Sequence, residues 1–313
     1  KVTGVQTCAL PICTLDLVSA AGSVLVLVVS LEIVSAHARF SADAPKGSAH
    51  RATVAATAWS WLLVLCALAA IVLTLFRETF LETLGLGGVA EDIAAPAVVL
   101  WIALVLQYMV QNHLRWESRV THFAAVSLLQ GIATLGLGTW LVVGLGQGAR
   151  GALTATATGV TAAVVLGMYF LRKDLQTRPD PSLWRPMIQF CLPVAAGNLV
   201  LVAAQNADRF VIARMAGLED LAQYGIALRF GMIASLVAGS AQMAVGPMVY
   251  DNQSSAHLTG ALRQVTSAYA LCGAALMSSF SFFAPELVGL IASSRYAGSA
   301  SLVGMTKIGR AHV

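Results

Sequence analysis

The sequence predicts an all-α polytopic membrane protein, and three observations carry the prediction. Of 313 residues, 58% are hydrophobic and only 11% are charged, with a mean hydropathy of +0.77. Ordinary soluble domains carry about 25% charge. The apolar residues fall in runs of about 20, enough to cross roughly 30 Å of hydrocarbon as helix. Within the runs there is no polar–apolar alternation, which argues for helices over barrel strands.

Eight complete spans are expected, near residues 14–34, 53–76, 95–113, 121–144, 151–171, 187–207, 222–248 and 264–291, and a ninth begins near Ser299. The first holds two carboxylates, Asp16 and Glu32. Each reads first as structural, Glu32 through a pair with Arg39 at i+7, and as a proton carrier only where a cavity exposes it. The third carries Gln107 and Gln111, with Arg115 just beyond its end, at i, i+4 and i+8, a polar stripe at helical period with Asn112 beside it. A stripe of this kind faces protein or water rather than lipid. The fourth ends in the small residues Gly144-Leu145-Gly146, and the sixth contains Ala195-Ala196-Gly197. Small residues permit close helix approach where the hydrophobic effect gives helices no reason to associate. Between the fifth and sixth spans, Arg172–Pro186 is charged and holds three prolines, so it reads as a linker between two lobes, residues 13–171 and 187–306.

The two ends read differently. Codons for Lys307–Val313 reproduce a common sequencing-library adapter, and the reverse complement encodes Thr7-Cys8-Ala9-Leu10-Pro11-Ile12. Residues 1–12 and 307–313 are therefore expected to be adapter read-through, as any fusion scar would be set aside. Removing Lys1, Lys307 and Arg310 takes the 19 basic residues to 16 against 15 acidic ones. Near-neutral charge gives no electrostatic footprint for nucleic acid. Cys66, Cys191 and Cys272 sit in apolar runs without metal-ligand spacing, and the histidines are scattered. Gly85-Leu86-Gly87-Gly88 lacks the Lys-Ser/Thr of a phosphate loop.

Loop charges orient the chain. Ten basic residues lie in one alternating set of loops: Arg39, Lys46, Arg51, Arg115, Arg119, Arg172, Lys173, Arg178, Arg185 and Arg263. Arg77, Arg150, Arg209, Arg214 and Arg295 lie in the other, and Arg229 sits inside a span. The positive-inside rule makes the first set, loops 35–52, 114–120, 172–186 and 249–263, cytoplasmic.

Specific motifs begin at Phe190-Cys191-Leu192-Pro193, continue through Asn206-Ala207-Asp208-Arg209-Phe210-Val211-Ile212, and reach Gly217 and Tyr224-Gly225. This order resembles the bacterial polysaccharide (O-antigen type) flippases of the multidrug/oligosaccharidyl-lipid/polysaccharide exporter superfamily. Leu31-Glu32-Ile33 and Ala38-Arg39-Phe40 look like the end of that family's second helix. The resemblance implies a two-lobed exporter-type bundle, truncated to about helices two to nine of twelve to fourteen. A piece of that extent is expected not to restore transport by itself. The activity implied is flipping of an undecaprenyl-pyrophosphate-type lipid-linked oligosaccharide across the inner membrane by alternating access, with no bond made or broken. The partners implied are that anionic lipid, membrane lipid and glycan polymerase machinery, with no nucleic acid, cofactor or metal.

Such a cargo needs cations for phosphate and hydrogen-bonding groups for sugars. Arg229 is the first candidate cation, read alternatively as an interfacial arginine that snorkels or pairs. Asp208 and Arg209 end the sixth span and line a cavity mouth or form a helix-end ion pair. Asn198 and Gln205 share a face, seven residues apart, and bind sugar or a neighbouring helix. Gln107, Gln111 and Arg115 complete the set. A multidrug or cation antiporter of the same superfamily is the alternative, and a membrane glycosyltransferase or polymerase is a more distant one. Resequencing the gene across both ends is expected to replace the adapter peptides with one preceding and three to five following helices. Recovery of Lys1–Ile12 and Lys307–Val313 would overturn that expectation.

Overall fold

The computed structural model describes residues 6–42, 44–217, 220–221, 224–225, 228 and 256–283. Among these, regular structure is helical: α1 (Gln6–Ser30), α2 (Ile33–Ala42), α3 (Ala49–Leu75), α4 (Arg77–Thr83), α5 (Ala90–Trp116), α6 (Val120–Gly138), α7 (Gly148–Leu171), α8 (Trp184–Met215) and α9 (Ala256–Phe282). The chain divides into two compact units, residues 1–216 and 217–313. In the second unit the described structure is chiefly α9, one long apolar helix with exposed Tyr269 and Leu271.

Five helical segments of the first unit are long and apolar enough to cross a bilayer: Ala49–Leu75, Gly87–Trp116, Val120–Gly144, Gly148–Leu171 and Pro181–Met215. Thr14–Ser30 and Ile33–Ala42 reach that length and apolarity only together, and they are bent by 50° at their junction. The expected first span is therefore two helices with a break between them. Leu31 and Glu32 both have positive φ, 46° and 57°, a region that residues with a Cβ enter at a cost.

The packing centre is α5, which lies against α1, α3, α4, α6 and α7. Its Trp101 is fully buried and donates its indole N–H to the Val18 carbonyl of α1 at 2.8 Å. Further along, Met109, Val110 and Leu114 join Val29, Ile33 and Val34, Trp59 and Leu62 of α3, and Met187 and Cys191 of α8 in one apolar cluster. The opposite faces are apolar too: Leu68, Ile71 and Leu75 on α3 and Leu128, Ile132 and Leu135 on α6 are exposed. In water such surfaces would drive aggregation; in a bilayer they meet lipid.

Small residues make α7 the narrow helix between α5 and α6. Gly151, Ala155, Gly159, Ala163 and Gly167 are among its buried residues. A Cβ on Gly167 would collide with Val110 of α5, and one on Gly159 would meet the Thr134 amide nitrogen at 3.0 Å and the Gln130 carbonyl at 3.1 Å. Backbone atoms cannot rotate aside, so α6 and α7 approach each other only because position 159 is glycine.

Helix ends explain the remaining departures from the sequence reading. The segment ahead of α5 is not plain loop: α4 and a short 3₁₀ turn at Gly87–Val89 precede it. Between α7 and α8, Asp180 accepts a hydrogen bond from the Ser182 amide at 2.9 Å and starts the turn Pro181–Leu183. The Ser182 side-chain and backbone hydrogen bonds also hold the half-buried Asp180 carboxyl below the usual range. α8 runs to Met215, past the expected end at 207, and within the added stretch Arg209 donates to Asn206 one turn back at 3.1 Å. It stops at Gly217, whose φ of 95° suits a glycine beyond a helix terminus. Spans expected near 222–248 and beyond residue 283 lie largely outside the described residues. Gly159→Val is expected to destabilise the first unit by about 1–3 kcal/mol, read as a lower unfolding temperature of the detergent-solubilised protein. An unchanged temperature would show that α6 and α7 do not depend on this contact.

Candidate functional site

Three basic loops meet at one end of the first unit. Arg51, at the start of α3, pairs with Glu117 at 3.0 Å and donates through Nε to the Ala44 carbonyl at 2.7 Å. Lys46 donates to the Ser118 hydroxyl at 2.7 Å. Arg119 pairs with Asp174 at 2.8 Å, tying the start of α6 to the loop after α7. The Asp180 amide donates to the Thr57 hydroxyl at 2.9 Å. Loops 44–48, 117–119 and 172–183 thus share one face, and the charged residues there hold helices in register.

Beneath that face lies a buried histidine pair. The Trp59 indole donates to His113 Nδ1 at 3.1 Å. An indole nitrogen only donates, so Nδ1 is the accepting nitrogen and the His113 proton belongs on Nε2, 3.8 Å from Asp174 Oδ2. His37 of α2 packs its ring 4.7 Å from that of His113. The His37 Nδ1 and the Ser41 hydroxyl are sealed from solvent without a protein partner.

One turn deeper is Glu32, 1% exposed, at the break between α1 and α2. Its carboxylate accepts from the Ser35 hydroxyl at 2.8 Å and the Tyr108 hydroxyl at 3.3 Å. Its backbone is held from both sides: the amide donates to the Ser30 hydroxyl at 3.4 Å, and the carbonyl accepts from the Cys191 thiol of α8 at 3.3 Å. Three helix ends measure its depth. Ala42 lies ten residues beyond Glu32, Trp116 eight beyond Tyr108, and Cys191 seven beyond Trp184. At about 1.5 Å per residue, these place the carboxylate about 10–15 Å from the basic end, within the hydrocarbon thickness. Sequence reasoning placed Glu32 against Arg39. The structure gives its carboxylate the hydroxyls of Ser35 and Tyr108, and the signal for the second was beyond reach because it depends on how α5 packs.

Of the expected site residues, Gln107 is buried and donates to Gln130 of α6, so it joins two helices. Gln111 is half-buried and Arg115 exposed, and Arg115 donates to the buried Asn112, which in turn bonds the Tyr108 carbonyl at 2.7 Å. On α8, Asn198 is half-buried and Gln205 exposed, so the two are not equally sheltered. The buried pair there is Asn206 and Arg209; Arg209 Nη1 donates to Asn206, while its buried Nε has no protein hydrogen-bond partner. Asp208 accepts from the Arg209 amide at 2.8 Å. Arg229 lies outside the described residues.

The buried Trp59–His113 contact and the partly exposed Arg119–Asp174 ion pair differ in cost. Trp59→Phe leaves His113 Nδ1 buried without its donor and is expected to destabilise the protein by about 1–3 kcal/mol. Arg119→Ala removes a partly exposed ion pair and is expected to cost about 1 kcal/mol or less. Thermal unfolding of both variants in detergent checks the order, and an equal or reversed ranking would contradict it.

With this geometry in hand, comparison with known proteins is direct. The family model described as "Polysaccharide biosynthesis protein" matches residues 15–253, which takes in α1 through α8 apart from the first turns of α1. No curated protein matches the chain. Among solved structures, an inward-facing multidrug resistance MATE family transporter of the MOP superfamily is similar, with a TM-score of 0.71 and 17% identity over 97% of this chain and 75% of that one. At that identity the likeness establishes the fold. The chain belongs to the polysaccharide biosynthesis protein family, and its helical fold is like that of this MATE family transporter.

Proposed function

We propose that the protein moves a lipid-linked oligosaccharide across the cytoplasmic membrane by alternating access. The observation that carries this reading is the family match across a bundle of membrane-spanning helices. Polysaccharide assembly on a lipid requires that a pyrophosphate and its sugars, which cannot enter hydrocarbon unaided, cross the bilayer. A multi-pass transporter supplies that step without breaking a bond, so the protein is read as a carrier and not an enzyme.

Arg209 is the best-placed described cation for phosphate. It is buried, and its guanidinium keeps Nε without a protein hydrogen-bond partner. A guanidinium fork binds phosphate through two parallel N–H donors, which a lysine cannot copy. Asp208 and Asn206 position it. Arg229 is proposed as a second cation, and Gln111, Asn198, Gln205 and Arg115 as groups for sugar or headgroup at the cavity walls. Gln107, committed to Gln130, serves the bundle first. The basic loops at residues 35–52, 114–120, 172–186 and 249–263 are read as cytoplasmic, so the lipid is loaded from the face where Arg51, Arg119 and Asp174 cluster. Glycan polymerase machinery is the expected neighbour on the opposite face.

The fold match to a multidrug transporter supports a second reading, an organic-cation antiporter. Acidic cavity residues would favour it. Deleting the gene in the source organism is expected to abolish surface polysaccharide and accumulate lipid-linked oligosaccharide inside. Unaltered glycan with increased drug sensitivity would favour the antiporter. In a complementing full-length gene, Arg209→Ala is expected to cut surface glycan tenfold or more at equal protein level, and Arg209→Lys to recover it only in part. Full glycan with Arg209→Ala would remove Arg209 from the site.

A further inference from the structure

Several cations of the basic end are engaged within the protein. Arg51 is paired with Glu117, Arg119 with Asp174, and Lys46 bonds the Ser118 hydroxyl. Arg172 and Lys173, which follow the last turn of α7, differ from these. Both are exposed, and among the described residues neither forms an ion pair. Arg172 instead lies over the ring of Tyr169, with its guanidinium carbon 3.9 Å from the ring centroid. That ring is 58% exposed. Stacking occupies the flat face of the guanidinium and leaves its N–H edge open, and the edge is the part that grips a phosphate.

The surface leading to this pair suits lipid. Thr158, Thr161, Val165, Tyr169 and Arg172 recur at three- and four-residue spacing and are all exposed, so they form one stripe along the outer face of α7. From Thr158 to Arg172 the rise is about 21 Å, more than the roughly 15 Å of hydrocarbon in one leaflet. The two threonine hydroxyls leave the stripe apolar in effect, because they donate to the Thr154 and Ala157 carbonyls at 2.8 and 2.7 Å. Beside the stripe, Arg119 donates to the Phe170 carbonyl at 3.3 Å, which sets the start of α6 against the end of α7. There α6 exposes Val120, with Leu128 and Ile132 further along. The positive-inside rule accounts for basic residues at this end. It does not account for an aromatic ring holding one of them flat at the end of a lipid-facing stripe.

We propose that the end of α7 binds an anionic phospholipid of the leaflet at the basic end, with its phosphate on Arg172 and Lys173 and an acyl chain along Tyr169 and Val165. Charge complementarity selects the occupant. Two adjacent cations without acidic partners attract a headgroup of net negative charge, whereas a zwitterionic headgroup brings a cation of its own. Each basic residue near the membrane surface is worth about fivefold in affinity for anionic lipid. Gly159 and Gly167 lie on the buried side of α7, against α6 and α5. The site therefore looks away from the bundle interior and is separate from the residues proposed for cargo. It depends on the helices crossing a membrane and not on which cargo they carry.

The test is native mass spectrometry of the protein from the full-length gene, released from mixed vesicles of phosphatidylglycerol and phosphatidylcholine with identical acyl chains. The expected result is a tenfold or greater preference for retained phosphatidylglycerol, falling to near parity in the double variant Arg172→Gln/Lys173→Gln. Tyr169→Phe keeps the ring face and is expected to keep the preference, whereas Tyr169→Leu is expected to lower it twofold or more. Arg178→Gln removes an exposed charge elsewhere at the basic end and is expected to leave the preference unchanged. Equal retention of the two lipids by the unaltered protein, or an undiminished preference in the double variant, overturns the site. A fall in Arg178→Gln as large as in the double variant overturns it too, since any surface charge would then serve. An unchanged preference in Tyr169→Leu overturns the role of the ring. Millimolar inorganic phosphate is expected not to displace the lipid, and displacement would assign the two cations to free phosphate instead. Surface glycan is not read in any arm, so failure here leaves the polysaccharide reading to its own test.

Discussion

The structure of the first unit depends on one constraint: backbone groups at membrane depth must be satisfied inside the protein. Wherever a helix stops within the hydrocarbon, side chains have to take over the freed groups. At Leu31–Glu32 they do so visibly. Ser30 takes the Glu32 amide and Cys191 of a sequence-distant helix donates to its carbonyl. The break is thus tied to α8, and α8 is held against α1 and α2 by the same contacts and by the apolar cluster around Met187 and Cys191. The Glu32 carbonyl also accepts from the Ser35 amide at 2.9 Å, so the Cys191 contact adds a tie to α8 at a group already satisfied within the bend.

The same constraint explains why polar residues within spans are so often paired across helices. Gln107 meets Gln130, Trp101 meets the Val18 carbonyl, and Trp59 meets His113. Each joins two helices whose apolar surfaces would otherwise be content to face lipid. Small residues of α7 complete the arrangement by letting α5 and α6 close on it. Hydrogen bonds thereby fix register, and close van der Waals contact fixes separation. The charged residues at the basic end, exposed in part, contribute more to loop positions than to stability.

Much of this was legible in the sequence. The number and order of crossings in residues 49–215, the helical class and the clustering of basic loops followed from hydropathy runs and charge. The motif from Phe190 to Ile212 pointed to the family that the matched residues 15–253 establish. What was not legible was anything requiring a partner distant in the chain. An i, i+4, i+8 stripe placed Gln107, Gln111 and Arg115 together, yet Gln107 turned to α6 and Arg115 to Asn112. Hydropathy also read residues 14–34 as one span, because the break uses apolar Leu31 and a single Glu32 with no proline or glycine to announce it. The continuation of α8 past Asp208 was hidden for a similar reason: two polar residues one turn apart read as a boundary until their mutual hydrogen bond is seen.

The central claim is that this bundle carries an anionic glycolipid. Its most direct measurement is translocation in vesicles containing the protein from the full-length gene and a fluorescent lipid-linked oligosaccharide, with exposure scored by a membrane-impermeant quencher. The account predicts glycolipid crossing at least tenfold faster than in protein-free vesicles. Crossing no faster than in protein-free vesicles, with accumulation of an organic cation in the same vesicles, would contradict it.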